Sequence, residues 1–248
     1  MTRWSGVSLV LLDVEGTTTP IAFVHGVLFP FARARLGEWL SRHAGTDLRR
    51  DVVETLRAER AAACARGEAV PEWPRSAGDD NGDEAVVAYA TGLMDRDHKS
   101  PGLKRWQGLI WEEGYRAGLL HGEVYPDVAP AVRRWREAGR DVAIYSSGSE
   151  LAQRLLFAST ADGDLTPLFS GFFDTAVGAK VEPNSYRTIA AALAHGPAAT
   201  LFVSDVTREL AAAEAAGCQT LLSIRPGNPT QVDASRYASV TSLTDILL

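Results

Sequence analysis

Residues 7–20 read VSLVLLDVEGTTTP. Val7–Leu12 is an apolar run broken only by Ser8, too short for a helix and rich in β-formers. It predicts a strand buried on both faces, as in a parallel sheet. Asp13 ends the run, Glu15 follows two residues later, and Gly16 permits a tight turn. Four further runs behave alike: Asp141–Tyr145 (DVAIY), Phe172–Val177 (FFDTAV), Thr200–Val203 (TLFV) and Thr220–Ile224 (TLLSI). Helical patterns lie between them. Val128, Val132, Trp135 and Ala138 share one face of a helix that Asp127 can cap and Gly139 can end. Glu150–Phe157, Pro183–His195 and Thr207–Ala216 follow the second, third and fourth strands. Strands alternating with helices predict an α/β fold with a Rossmann-like parallel sheet.

From Ile21 to Tyr125 the alternation stops. That stretch predicts helices only, at Val24–His43, Asp47–Gly67, Asp83–Asp97 and Leu103–Gly118. The acidic loop Gly78–Glu84 reads as a solvated linker, since it lacks calcium-loop spacing. The expected division is a core of residues 1–20 and 126–248 with an inserted all-helical cap of residues 21–125.

The chain has 248 residues and a formal net charge of −6, with 46% hydrophobic and 23% charged residues. This is a globular composition, able to bury a core without disulfides or structural metal. The acidic balance argues against nucleic acid or an anionic membrane as partner, because both require a basic face. No apolar run approaches the ~20 residues of a membrane span. The first apolar run reads as a strand rather than a leader, so a cytoplasmic protein is expected; a monomer is expected as well. Cys64 and Cys218 stand far apart without a CxxC pattern, which favours neither a disulfide framework nor a zinc site. Of 25 basic residues only Lys99, Lys104 and Lys180 are lysines. In so arginine-rich a chain, each asks for a reason: lysine offers a compact point charge on a thin stem.

Open parallel sheets bind ligands beyond the carboxyl ends of their strands. Here those ends carry Asp13, Ser146-Ser147, the loop leading to Lys180, and Asp205. Such a set suits phosphoryl transfer through an aspartyl-phosphate, with Mg²⁺ screening the carboxylate from the phosphate. Asp13 is then the nucleophile and a metal ligand, and Asp205 a second carboxylate for the ion. Lys180 balances the charge and holds the phosphate, while Ser146 or Ser147 binds phosphoryl oxygens. Glu15 protonates the leaving oxygen and later activates water. The hydroxyls of Thr17–Thr19 and nearby backbone N–H groups offer an oxyanion lining. Plainer readings exist for each: Asp13 as a turn residue, Ser146–Gly148 as a helix cap, Lys180 as a surface lysine, and Asp205 as the N-cap of the helix at Thr207.

The order Asp13, Ser146-Ser147, Lys180, Asp205 resembles the four motifs of the haloacid-dehalogenase superfamily. More narrowly, DVEGTTTPIAFVHGVLFPF, IYSSGS, GAKVEPNSYRTIA, SDVTREL and RPGN resemble its enolase-phosphatase branch, where Glu replaces the usual second Asp of the first motif. The similarity spans nearly the whole chain. It implies a methionine-salvage enzyme, an acireductone synthase, that enolises 2,3-diketo-5-methylthiopentyl-1-phosphate. Mg²⁺-dependent dephosphorylation to 1,2-dihydroxy-3-keto-5-methylthiopentene follows. It also implies Asp13, Glu15 and Asp205 as metal ligands, Glu15 through its side chain or its carbonyl. Segment 97–108 resembles the branch's cap motif, with His98 and Trp106 departing from it. Lys99 and Lys104 fall on its lysines, and Lys99 is the expected substrate contact from the cap. His25 and His98 are the histidines near site segments, and Glu15 is another candidate base for enolisation. Phe23, Phe29, Phe31, Trp106 and Trp111 either shelter the methylthio tail or are plain core. The rivals are a capped phosphatase for another small phosphate ester, a dehalogenase, which needs neither Glu15 nor Asp205, and a phospho-aspartate switch.

Overall fold

The computed structural model describes residues 4–73, 82–96, 98 and 100–248. Lys99 and most of the acidic loop therefore lie outside the described residues. The chain divides into two compact units, Met1–Gly26 with Gly118–Leu248, and Val27–Ala117.

The first unit is built on six strands: β1 Leu9–Leu12, β2 Asp141–Tyr145, β3 Gly171–Phe173, β4 Thr200–Ser204, β5 Gln219–Ser223 and β6 Ser239–Val240. They form one sheet in the order β3-β2-β1-β4-β5-β6, and every pairing is parallel. The order reverses at β1, the point where such sheets open a crevice. Leu12 is level with Ile144 and with Val203, so Asp13, Ser146 and Asp205 leave the same edge of the sheet. All residues of β1 and β4 are buried. Leu9, Leu11, Tyr145 and Phe202 pack on one face against Tyr186, Ile189, Leu210 and Ala213 of the helices Pro183–Ala192 and Thr207–Ala216.

Several local expectations need correction. The third strand stops at Phe173, because the Asp174 carboxylate accepts from Ala176 N at 2.8 Å and turns the chain. The helix from Pro183 stops at Ala192, where Ala194 takes φ +60°. Asp127 stands at the N-cap position of the helix Val128–Glu137, but its side chain makes no capping hydrogen bond. Its carboxylate instead accepts from Leu243 N at 2.5 Å and meets Arg225 at 2.9 Å. The two-residue β6 has no counterpart among the predicted strands. Residues 120–125, expected in the cap, are bonded within the sheet unit: Gly122 N to Ser159 O at 2.8 Å and Tyr125 N to Thr18 O at 2.9 Å.

The second unit contains the helices Phe29–Arg42, Asp47–Ala65, Asp83–Asp95 and Pro101–Arg116. Trp39 and Trp106 meet edge-on at 5.8 Å, both fully buried. Trp111 donates to Leu28 O at 2.8 Å. Trp106 and Trp111 are thus core residues, as Phe23 is in the sheet unit, whereas Phe29 and Phe31 are half-buried. Glu59 accepts from Ser100 Oγ and Gly102 N at 2.5 and 2.7 Å, which fixes the start of the last helix. Among the described residues, no helix is long and apolar enough to cross a membrane.

Candidate active site

Asp13 follows the last residue of β1 and is 4% exposed. Its Oδ1 accepts from Val14 N at 2.7 Å and meets Lys180 Nζ at 2.6 Å. Ser204 Oγ, at the end of β4, lies 2.9 Å from Asp13 Oδ2 and 3.1 Å from Glu209 Oε2. One hydroxyl proton can serve only one of these carboxylates at a time. Lys180 is buried, and its ammonium lies 2.6 Å from Glu209 Oε2 as well. Burial works to lower the lysine's pKa, but Asp13 and Glu209 outweigh it and hold the group above its usual range. Lys180 is therefore a buried, bridging ammonium and not a surface lysine.

Asp205 is 5% exposed and does not cap the helix at Thr207, whose N-cap is Val206. Burial, and then the charge of Asp13, pushes its carboxyl up to about 7. Glu209, in the first turn of that helix, is likewise pushed up to about 7, by burial first and Asp13 second. Two carboxylates thus touch the one ammonium, and that of Asp205 lies within reach of its charge. Gly16 lies over this cluster with φ +68°, and a Cβ there would overlap the Asp205 carboxylate. Only glycine meets both demands.

Glu209 was not singled out from the sequence. The available signal was its place four residues after Asp205, one helical turn on, beside the same strand end.

The amides of the threonine run are used within a turn and are not offered to an anion. The amides of Thr17, Thr18 and Thr19 all donate to Val14 O, at 3.2, 2.9 and 2.9 Å, and Gly16 N donates to Thr19 O. Thr18 Oγ1 lies 3.0 and 3.2 Å from the carbonyls of Asp13 and Val14. Thr17 and Thr19 are fully buried. The amides and the Thr18 hydroxyl wind the turn that aims Asp13, while the buried hydroxyls of Thr17 and Thr19 have no hydrogen-bond partner among the described residues. Arg225, buried, clamps the turn from outside with Nε and Nη2 at 3.1 and 3.0 Å from Thr17 O. Asn228 adds a bond to Gly16 O at 2.8 Å.

Ser146 is buried at the end of β2, its amide bonded to Phe173 O at 3.1 Å and its hydroxyl accepting from Gly148 N at 3.2 Å. Ser147 is exposed. The cap of the helix Glu150–Ala158 is Ser149, which accepts from Ala152 N, so Ser146 and Ser147 are not consumed as the N-cap. Glu15 is half-buried, and its charge adds to the upward push on Asp205. Asp13, Lys180, Asp205 and the unforeseen Glu209 are thus brought together at the strand ends, with Ser146 on the neighbouring strand.

The haloacid dehalogenase-like hydrolase family matches residues 7–217. A protein named enolase-phosphatase E1 from Synechococcus elongatus is 46% identical over 240 residues, covering 97% of this chain and 98% of that one. The chain belongs to the haloacid dehalogenase-like hydrolases, in their enolase-phosphatase E1 family. A second relative of that name, from Gluconacetobacter diazotrophicus, is also 46% identical, covering 97% of this chain and 93% of its own. A Vitis vinifera protein named as a bifunctional methylthioribulose-1-phosphate dehydratase/enolase-phosphatase E1 is 43% identical; the match covers 96% of this chain and 46% of that longer one. Among solved structures, the UTR4 protein of Saccharomyces cerevisiae is 30% identical with a TM-score of 0.75, covering 95% of this chain and 98% of that one. A dehalogenase at 17% identity, with a TM-score of 0.54 over 99% of this chain and 96% of its own, shares the fold.

Proposed function

We propose that the protein enolises 2,3-diketo-5-methylthiopentyl-1-phosphate and then removes its phosphate, giving 1,2-dihydroxy-3-keto-5-methylthiopentene. The observation that carries the phosphatase half is the buried cluster of Asp13, Lys180, Glu209 and Asp205 at the strand ends. The enolase half and the substrate rest on the enolase-phosphatase relatives, with the bifunctional Vitis protein pairing the activity with a methylthioribulose-1-phosphate dehydratase.

The donor set fits Mg²⁺. Three carboxylates against one ammonium leave negative charge uncompensated in a buried place, and Asp205 has no ion-pair partner among the described residues. Those residues contain no group of three His, Cys, Asp or Glu placed to cage an ion. Mg²⁺ keeps waters and phosphate oxygens and takes one or two carboxylates. Asp13 and Asp205 would hold it by their carboxylates, with Glu15 as third ligand through its side chain or its carbonyl. When bound, it supplies charge neutralisation for the approach of two anions and polarises the carbonyl next to the phosphate.

Asp13 then attacks phosphorus, and the bond from phosphorus to the substrate oxygen breaks. Glu15 gives that oxygen its proton. Glu15 next takes a proton from water, which attacks the phosphoryl group and frees Asp13 and inorganic phosphate. Lys180 holds Asp13 in place and offers its remaining donor to a phosphoryl oxygen, joined by Ser146 and Ser147. Enolisation needs a base, for which Glu15 and His25 are the candidates in this unit. Lys99, one of three lysines in the chain, is the candidate cap contact to the substrate. The enzyme so read is a cytoplasmic monomer acting on a small molecule. Sedimentation of the purified chain as a dimer would contradict the monomer. Lys180→Met tests the assignment of the cluster: phosphate release should be lost in a folded protein, and retention would contradict it.

A further inference from the structure

Lys180 is held by its backbone as well as by its ammonium. Three consecutive carbonyls each accept a hydrogen bond from a different hydroxyl. Tyr145 Oη donates to Gly178 O at 2.9 Å, Ser185 Oγ to Ala179 O at 2.8 Å, and Tyr186 Oη to Lys180 O at 2.6 Å. Tyr145 is the last residue of β2, while Ser185 and Tyr186 lie in the first turn of the helix Pro183–Ala192. Both tyrosines are fully buried, and their rings meet edge-on at 5.5 Å. Tyr186 also meets Phe202 of β4 at 4.9 Å. The Lys180 ammonium lies 5.8 Å and 6.0 Å from the ring centroids of Tyr145 and Phe202. Gly178 has φ +134°, and a Cβ there would overlap Ser185 Oγ, so the close approach of the clamp to the loop depends on glycine.

A loop that had only to join a strand to a helix could leave these carbonyls to water. Burying three hydroxyls from two elements against successive peptide planes fixes both the position and the tilt of each plane. The Lys180 side chain hangs from the last of them. Two contacts of 2.6 Å at its far end tolerate little displacement at its root.

We propose that Tyr145, Ser185 and Tyr186 form a hydroxyl clamp that sets the reach of Lys180 between Asp13 and Glu209, and so act as positioning residues for the Asp13 step. The proposal rests on the phosphatase reading of Asp13 and Lys180. Tyr186→Phe keeps the ring and removes one bond of the clamp. It should lower kcat for phosphate release about tenfold while changing KM less than about threefold, as for loss of one buried hydrogen bond felt in the reacting geometry. Tyr145→Phe and Ser185→Ala should act in the same direction. Thr188→Ala, which removes an exposed hydroxyl from the same helix, should leave kcat unchanged.

Because the chain has three lysines, the ammonium nitrogens can be followed separately in ¹⁵N-lysine-labelled protein, with Lys180→Arg assigning the signal. The Lys180 resonance should shift and exchange its protons faster in Tyr186→Phe and Tyr145→Phe, and stay put in Thr188→Ala. An unmoved Lys180 resonance and unchanged kcat in both tyrosine variants would overturn the clamp. The phosphatase reading fails separately, by full activity in Lys180→Met. Should Tyr186→Phe not fold, Tyr145→Phe and Ser185→Ala carry the same comparison.

Discussion

Replacing Glu209 by glutamine changes one charge in the buried cluster and almost nothing in shape. The carboxylate now accepts from Lys180 Nζ at 2.6 Å. A hydrogen bond to a charged group is worth ~1.5–3 kcal/mol, and a neutral acceptor at the same place retains roughly half. The loss is then about 1–1.5 kcal/mol of hold on the lysine, or about 5–10-fold in kcat if that hold is felt in the transition state. Glu209→Ala removes the acceptor altogether, and about 10–150-fold is expected. Stability should move differently. Asp13 and Glu209 repel each other, and that repulsion contributes to the upward push on Glu209. Removing one carboxylate relieves it, so the Tm of Glu209→Gln should equal or exceed that of the parent protein, as for a strained functional site. Steady-state phosphate release and thermal denaturation on the same preparations test both halves. Activity within twofold of the parent, or a loss of activity matched by a loss of Tm, would refute the reasoning.

Other substitutions follow from the same geometry. Asp13→Asn should abolish phosphate release in a folded protein, because the covalent route disappears; rapid-quench detection of any remaining turnover checks it. Asp205→Ala should raise the Mg²⁺ concentration needed for half-maximal activity, read from a metal titration, since one of two carboxylates proposed for the ion is gone. At the opposite edge of the sheet, hydrogen bonds from Ser170 and His195, then Arg136, pull Asp141 down from 3.8 to about 2. A depressed carboxylate stabilises the fold above its unfolded pKa and loses that contribution as pH falls from about 4 to 2. The side chain is 37% exposed, so the screened contribution is about 1 kcal/mol. Asp141→Asn should therefore show a smaller loss of stability than the parent over that interval in acid-unfolding curves.

The parallel sheet was legible because four of its runs are mainly apolar and do not alternate, as burial on both faces requires and a half-exposed strand does not. The weak run at Phe172 was overextended, since the Asx turn at Asp174 depends on side-chain direction and not on hydropathy. Two-residue β6 carries no periodicity at all. Asp13, Lys180 and Asp205 could be picked out because strand ends place them at the crevice. Glu209 could not be told from any first-turn acid, because its partner Lys180 is 29 positions away along the chain. The threonines show the opposite error. Their amides looked free in the sequence, but a tight turn consumes all three on the single carbonyl of Val14, and the Thr18 hydroxyl bonds within the turn as well. Asp127 likewise has the residue type of a cap, yet it serves Arg225 and Leu243, contacts more than ninety residues away in sequence.

As proposed, one site performs two linked steps on one substrate. Enol absorbance and released phosphate should be followed together, with 2,3-diketo-5-methylthiopentyl-1-phosphate as substrate and Mg²⁺ added or chelated. Both signals should appear with Mg²⁺, the enol rising no later than phosphate, and phosphate release should be lost in Asp13→Asn. Release of phosphate from simple esters with no turnover of the diketo phosphate, or unchanged phosphate release after chelation, would contradict the account.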